Sequence, residues 1–120
     1  IGPGLDSKDP QIINGGGYDH NWVLNSQDGK LAKAAELYEA TSGRFMEVYT
    51  TKPGIQFYSG NFLGGLENCK DGATYDKRSG LCLETQFFPN ALKHKHFPSP
   101  ILRAGDEYNH TTIYKFSVKK

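Results

Sequence analysis

The chain has 120 residues, enough for one domain with a hydrophobic core and too few for two. Hydrophobic residues make up 37% and charged residues 22%, and the formal net charge is +1, values typical of a folded globular chain. This balance gives no reason to expect nucleic acid or a membrane as partner. Fourteen glycines, six prolines, seven Tyr and seven Phe favour turns and strands, and therefore an all-β fold.

The N-terminal third contains one glycine-rich segment, one predicted strand and one ambiguous element. Residues 1–17 are polar and end in three glycines, so we predict a connecting segment without regular structure. Aromatic and β-branched residues predict a strand over 18–24, and the following Asp28-Gly29 is typical of a hairpin turn between two strands. Residues 31–40 have helical spacing and helix-favouring composition, so propensity alone predicts a helix there.

The rest of the chain has the pattern of strands separated by long loops. Alternation or β-favouring composition predicts four further strands, at 44–51, 55–59, 81–87 and 112–118. Loop residues dominate 60–80, and prolines break the segment that follows residue 87. The last strand is expected to carry Tyr114 and Phe116 on one face.

Two cysteines, Cys69 and Cys82, are too few for a disulfide framework, and a zinc site would need further ligands at short spacing. We expect free thiols in a reducing compartment, which indicates a cytoplasmic protein. The N-terminus has no apolar signal block and no initiator Met. We therefore expect a processed chain or part of a longer one.

Two carboxylates are candidates for chemistry. Glu84 shares a strand face with Cys82, opposite Leu83, and a carboxylate on a rigid strand can act as a general acid or base. The alternative is an ordinary solvated glutamate on the exposed face of a sheet. Asp19 shares a face with Asn21, and both could bind hydroxyl groups; alternatively, Asp19 bonds only its own backbone at a strand start.

The four histidines do not indicate a metal site. His94 and His96 alternate with Lys93 and Lys95, and two ammonium groups beside the imidazoles oppose metal binding, so a solvated loop is expected. The glycine run precedes a strand rather than a helix, so it is no phosphate cradle. Neither a serine nucleophile elbow nor a reactive-cysteine signature is present.

Five segments, taken together, resemble the aldose 1-epimerase (galactose mutarotase) family. They occur in the family's order across nearly the whole chain: 17–24 (GYDHNWVL), 56–63 (QFYSGNFL), 80–86 (GLCLETQ), 97–103 (FPSPILR) and 110–116 (HTTIYKF). The resemblance implies an antiparallel β-sandwich of the galactose mutarotase type, with residues 1–120 as the C-terminal portion of a single domain. It also implies that residues 31–40 form a strand.

The resemblance further implies a reaction and its residues. Glu84 would be the general base, Asp19 would position the sugar, and Phe57 would present an apolar ring to the pyranose. The substrates would be aldohexoses such as galactose and glucose, and neither a cofactor nor a metal is expected. The family's histidine-containing acid block is missing, so this chain would supply the base, and an N-terminal part or another chain would supply the acid.

Departures from the family pattern leave an alternative open. Phe87 stands where many members have His, and the basic loop at 93–96 replaces a more neutral one. A non-catalytic carbohydrate-binding or interaction module with the same fold would also fit. An epimerase of hexose 6-phosphates is disfavoured, because phosphate recognition calls for an arginine cluster and the chain has only Arg44, Arg78 and Arg103.

Overall fold

The computed structural model describes residues 1–120 and consists almost entirely of antiparallel strands with one short helix, so the predicted all-β fold is confirmed. In chain order the elements are α1 (Pro10–Gly15), β1 (Asp19–Val23), β2 (Ala32–Tyr38), β3 (Arg44–Thr50), β4 (Gly54–Tyr58), β5 (Cys82–Gln86) and β6 (Thr112–Val118). Short 3-10 turns occupy Gly2–Gly4 and Lys70–Gly72. No helix is both long and apolar enough to span a membrane.

The chain forms two compact units. The first comprises residues 1–22 and 56–84, and the second comprises residues 23–55 and 85–120. The strands make two three-stranded sheets, with the orders β1-β4-β5 and β2-β3-β6. All three predicted site residues, Asp19, Phe57 and Glu84, belong to the first unit.

The second sheet is centred on β3, which pairs antiparallel with both β2 and β6. Val48, the fully buried residue of this strand, lies between Ala35 and Tyr114. On the other face, Lys115 Nζ lies 3.0 Å from Glu47 Oε2 across the β3–β6 pair. The predicted C-terminal strand is confirmed as β6.

The edge strand β6 leaves large apolar side chains in solvent. Phe116 is 76% exposed and Val118 66% exposed. An edge strand with exposed apolar side chains presents both unpaired backbone groups and a surface suited to association.

Within residues 31–40, Ala32–Tyr38 form strand β2, as the family resemblance implies, and the helix expected from propensity alone is wrong. Six of the seven residues of β2 pair with β3, from Ala32 opposite Thr50 to Tyr38 opposite Phe45, and the register shifts once, between Lys33 and Ala35. Cross-strand pairing outweighs the helix preference of Ala, Glu, Leu and Lys, which amounts to tenths of a kcal/mol per residue.

The predicted hairpin at Asp28-Gly29 is wrong, because β1 pairs with β4 and β2 pairs with β3. The turn itself is present: Asp28 Oδ1 accepts hydrogen bonds from Ser26 Oγ and from the Lys30 backbone N–H. These local bonds close the turn by themselves. The flanking strands can therefore enter different sheets.

The connecting segment contains a regular element that the glycine run did not predict. Helix α1 begins with Pro10 after Asp9, whose Oδ1 accepts from the Gln11 N–H at 2.8 Å. It ends at Gly15 and is capped by Gly16, which adopts the left-handed conformation (φ +66°), and the Gly17 N–H donates to the Ile12 carbonyl. A capping Asp, a proline at the first position and a glycine at the end are the usual boundaries of a short helix.

The turn between β3 and β4 carries a buried lysine. Lys52 is 8% exposed, and its Nζ donates to Tyr108 Oη at 2.6 Å. The ammonium also lies over the rings of Phe87 (4.2 Å) and Tyr108 (4.5 Å). Lys52 makes no ion pair in this chain, so aromatic rings and one phenol oxygen take the place of a carboxylate.

Candidate functional site

The backbone around Tyr18 fixes the start of β1, where Asp19 lies. The Ser59 N–H and the Asn61 side-chain amide both donate to the Tyr18 carbonyl, at 2.9 and 2.8 Å. Ser59 Oγ accepts from the Tyr18 N–H at 3.0 Å and donates to Asn61 Oδ1 at 2.6 Å. Gly17 has φ +138°, and a side chain there would collide with Asn61. This buried network holds the half-buried Asp19 in a defined place.

Gln56 is a site residue that the sequence analysis missed. Its Nε2 donates to Asp19 Oδ1 at 2.9 Å, across the β1–β4 pair. A signal was present, because Gln56 opens the second family-like segment and is the polar residue of an otherwise apolar and aromatic strand. The amide restrains the Asp19 carboxylate and leaves its second oxygen available to accept from a ligand hydroxyl.

The register of β1 and β4 shows which other side chains share this face. Ser59 N–H bonds the Tyr18 carbonyl at one end of the pair, and Leu24 N–H bonds the Pro53 carbonyl at the other. Both bonds define the same antiparallel register, which places Asp19 opposite Tyr58. Since side chains alternate along a strand, Tyr58 and Gln56 lie on the Asp19 face.

Phe57 lies on the other face of β4. Its ring stacks on Tyr18, with centroids 5.1 Å apart and an interplanar angle of 29°. The structure therefore does not bring Phe57 together with the Asp19–Gln56 pair. Its contact with a sugar stays a prediction, and this geometry gives it no support.

Glu84 lies on β5, the strand next to β4 in the sheet. Along β5 the exposed Cys82 and Glu84 alternate with the half-buried Leu83, as the sequence pattern predicts. The Glu84 carboxylate makes no ion pair in this chain. It is accessible on a regular strand, an arrangement that suits proton transfer with a bound molecule.

His20 follows Asp19, but its ring is held by the backbone. Nδ1 accepts from the Asp19 N–H at 3.1 Å, and Nε2 lies 3.1 Å from the Gln11 carbonyl, to which it donates. Both ring nitrogens are thus engaged by backbone groups of this chain rather than directed at a ligand.

The other histidines lie in the second unit. His94 and His96 pack against Phe97 in an exposed turn, and His110 Nδ1 lies 3.1 Å from Thr51 Oγ1. The chain contains no group of three or more His, Cys, Asp or Glu side chains arranged to hold a metal ion.

The sheet thus carries a restrained Asp, an amide and an accessible Glu on neighbouring strands, groups that can accept and donate hydrogen bonds. The aldose 1-epimerase family model matches residues 2–115, and the chain belongs to this family.

Named relatives agree with this assignment. The chain is 54% identical to galactose mutarotase of Mus musculus and 53% identical to that of Homo sapiens, each over 102 residues. It is 43% identical over 103 residues to aldose 1-epimerase of Escherichia coli. These alignments cover 83–85% of this chain but only 29–30% of the relatives, so the chain spans about a third of their length.

A solved structure supports the fold. The crystal structure of the GalM/aldose epimerase homologue from C. elegans superimposes with a TM-score of 0.72 at 28% identity. The match covers 86% of this chain and 30% of that one. The chain therefore has the aldose epimerase fold over the part that the two proteins share.

Proposed function

We propose that this protein interconverts the α and β anomers of aldohexoses such as galactose and glucose, with Glu84 as general base and Asp19 as the residue that positions the sugar. The observation that carries the proposal is the placement of an accessible Glu84 beside β4, the strand whose Gln56 restrains Asp19. The names of the relatives, galactose mutarotase and aldose 1-epimerase, support the reaction.

The proposed reaction opens and closes the sugar ring. Glu84 takes the proton of the C1 hydroxyl, and the electron pair left on O1 forms the C1=O1 double bond. The C1–O5 bond breaks, its electron pair goes to O5, and O5 receives a proton from a general acid. Rotation about the C1–C2 bond presents the other face of the carbonyl. The reverse steps then close the ring as the other anomer, and the protons on base and acid are restored.

Asp19 has a positioning role in this proposal. Gln56 occupies Oδ1, so Oδ2 is free to accept hydrogen bonds from sugar hydroxyls. Hydrogen bonds of this kind orient C1 toward the base, and orientation contributes to both binding and rate.

The general acid is assigned to residues outside these 120, in another part of the polypeptide or in another chain. His20, the histidine nearest to Asp19 in sequence, has its Nε2 hydrogen-bonded to the Gln11 carbonyl. We therefore expect the 120-residue chain alone to relax α-D-galactose at close to the spontaneous rate, as followed by polarimetry. Robust turnover by this chain would require an acid within it and would contradict the assignment.

The base is tested by Glu84→Gln in the active protein that contains these residues. The amide keeps the shape of the side chain but lacks the basic carboxylate, so kcat should fall by about 10²–10⁴-fold with little change in sugar affinity. Glu67→Gln, at an exposed loop position, is the matched control and should leave kcat unchanged.

Two outcomes would count against the proposal. A Glu84→Gln protein with near-normal kcat would remove Glu84 from the mechanism. Saturable sugar binding by the intact protein without any anomer interconversion would instead support the carbohydrate-binding alternative.

A further inference from the structure

The first unit holds an exposed aromatic pair beside the candidate site. Phe62 is 75% exposed, and its ring stacks on Tyr58 with centroids 6.2 Å apart and an interplanar angle of 19°. The Phe62 N–H also donates to Tyr58 Oη at 2.9 Å. One face of the Phe62 ring is thus supported by Tyr58, and most of the ring remains open to solvent.

This pair adjoins the polar residues on the same side of the sheet. Tyr58 lies opposite Asp19 in the register of β1 and β4, and it lies two residues from Gln56 along β4. Opposite residues on one face of an antiparallel pair have Cβ atoms about 5 Å apart. Tyr58 therefore borders the carboxylate and the amide, and the ring of Phe62 stacks on Tyr58.

The turn that carries Phe62 is attached to the start of β1, where Asp19 lies. Asn61, the residue before Phe62, is buried and donates to the Tyr18 carbonyl immediately before Asp19. Gly60 adopts φ +68°, and a side chain there would strike the Gly80 carbonyl, so the turn that carries Phe62 is closely packed. An exposed ring on a well-packed turn is preorganised for contact with a ligand.

A pyranose has hydroxyl groups around its edge and C–H bonds on its faces. A site for it combines a few precisely placed polar groups with an apolar or aromatic surface. Asp19 and Gln56 supply the polar groups, whereas the ring of Phe57 is turned to the other face and stacks on Tyr18. Tyr58 and the exposed Phe62 ring stacked on it supply an aromatic surface on the side of the sheet that carries these polar groups.

We propose that Phe62, supported by Tyr58, is the sugar-binding apolar wall of the site and contacts a C–H face of the aldohexose. This inference rests on the proposed function. Phe62 takes no part in proton transfer, so its loss should raise KM and leave kcat nearly unchanged.

The experiment compares substitutions in the active protein that contains these residues, with D-galactose as substrate and polarimetry as the assay. Phe62→Ser should raise KM about tenfold with kcat within about threefold of the unsubstituted protein, whereas Phe62→Tyr should retain a normal KM because it keeps the ring. Phe116→Ser removes a phenylalanine of equal exposure from β6 and should leave KM unchanged. Circular dichroism checks that each variant is folded.

The outcomes separate this proposal from the proposed function. The assignment of Phe62 as the apolar wall would be overturned by an unchanged KM in Phe62→Ser. It would also be overturned if Phe57→Leu raised KM and Phe62→Ser did not. Either result counts against the wall even if Glu84→Gln abolishes kcat. If the protein binds D-galactose in calorimetry but does not interconvert its anomers, the proposed reaction fails. In that case, a Kd about tenfold weaker in Phe62→Ser would still support the wall, and an unchanged Kd would refute it.

Discussion

The buried side-chain amide of Asn61 should contribute strongly to the free energy of unfolding of the first unit. Its side chain accepts from Ser59 Oγ and donates to the carbonyls of Gly15 and Tyr18. Asn61→Ala removes these three bonds, although Ser59 Oγ lies 3.2 Å from the Tyr18 carbonyl and can turn to it as a substitute partner. About two bonds at about 1 kcal/mol each, together with a small void, give an expected loss of about 2–4 kcal/mol.

Urea unfolding followed by the fluorescence of Trp22, the single tryptophan of the chain, measures this loss close to Asp19. The midpoint should fall at an unchanged slope, because the surface exposed on unfolding stays the same. Asn25→Ala, an exposed position in the second unit, is the control and should cost less than about 0.5 kcal/mol. An equally small loss in Asn61→Ala would refute the idea that this network anchors the site.

Three further predictions concern ionisation and association. Hydrogen bonds from the Ser42 hydroxyl and from the N–H groups of residues 41 and 42 lower the pKa of Glu39 to about 2. NMR titration should find this pKa, and Ser42→Ala should raise it. The stability that these bonds contribute is present above about pH 4.5 and is lost as the pH falls towards 2. Burial and, to a smaller extent, the charge of Lys52 lower the pKa of His110 below its usual value of 6.5. Because the unfolded chain then binds the proton more readily, the stability of the folded chain should fall as the pH drops below about 6.5. Lys52→Met should raise the pKa of His110, as measured by NMR titration. The exposed Phe116 on edge strand β6 should promote self-association of the 120-residue chain. Phe116→Ser should therefore lower its sedimentation coefficient at high protein concentration. If the unsubstituted chain sediments as a monomer at every concentration, this prediction is wrong.

The features that follow from local alternation could be predicted from the sequence. The exposed Glu84 next to the half-buried Leu83, and the strand over residues 112–118, both come from a period of two that any strand imposes. The helix expected over 31–40 failed because helical spacing and propensity are local signals, and pairing of this segment with β3 overrides them.

The features that depend on register could not be predicted in this way. The contact of Gln56 with Asp19 joins residues 37 positions apart and exists only because β1 pairs with β4. The same pairing turns Phe57 away from this face. The hydrogen bond that holds the His20 ring likewise depends on α1, because it is made to the Gln11 carbonyl. The sequence analysis did not predict this helix, since the glycine run indicated a segment without regular structure.

The aromatic surroundings of Lys52 give the turn between β3 and β4 a particular response to salt. An exposed ion pair such as Lys30–Asp28 weakens as added ions screen its two charges. The ammonium of Lys52 is instead buried against two rings and a phenol oxygen, where mobile ions have little access. In molar sodium chloride, surface charge contacts should therefore loosen while this turn keeps its attachment to Tyr108, so its amide protons should remain protected from exchange.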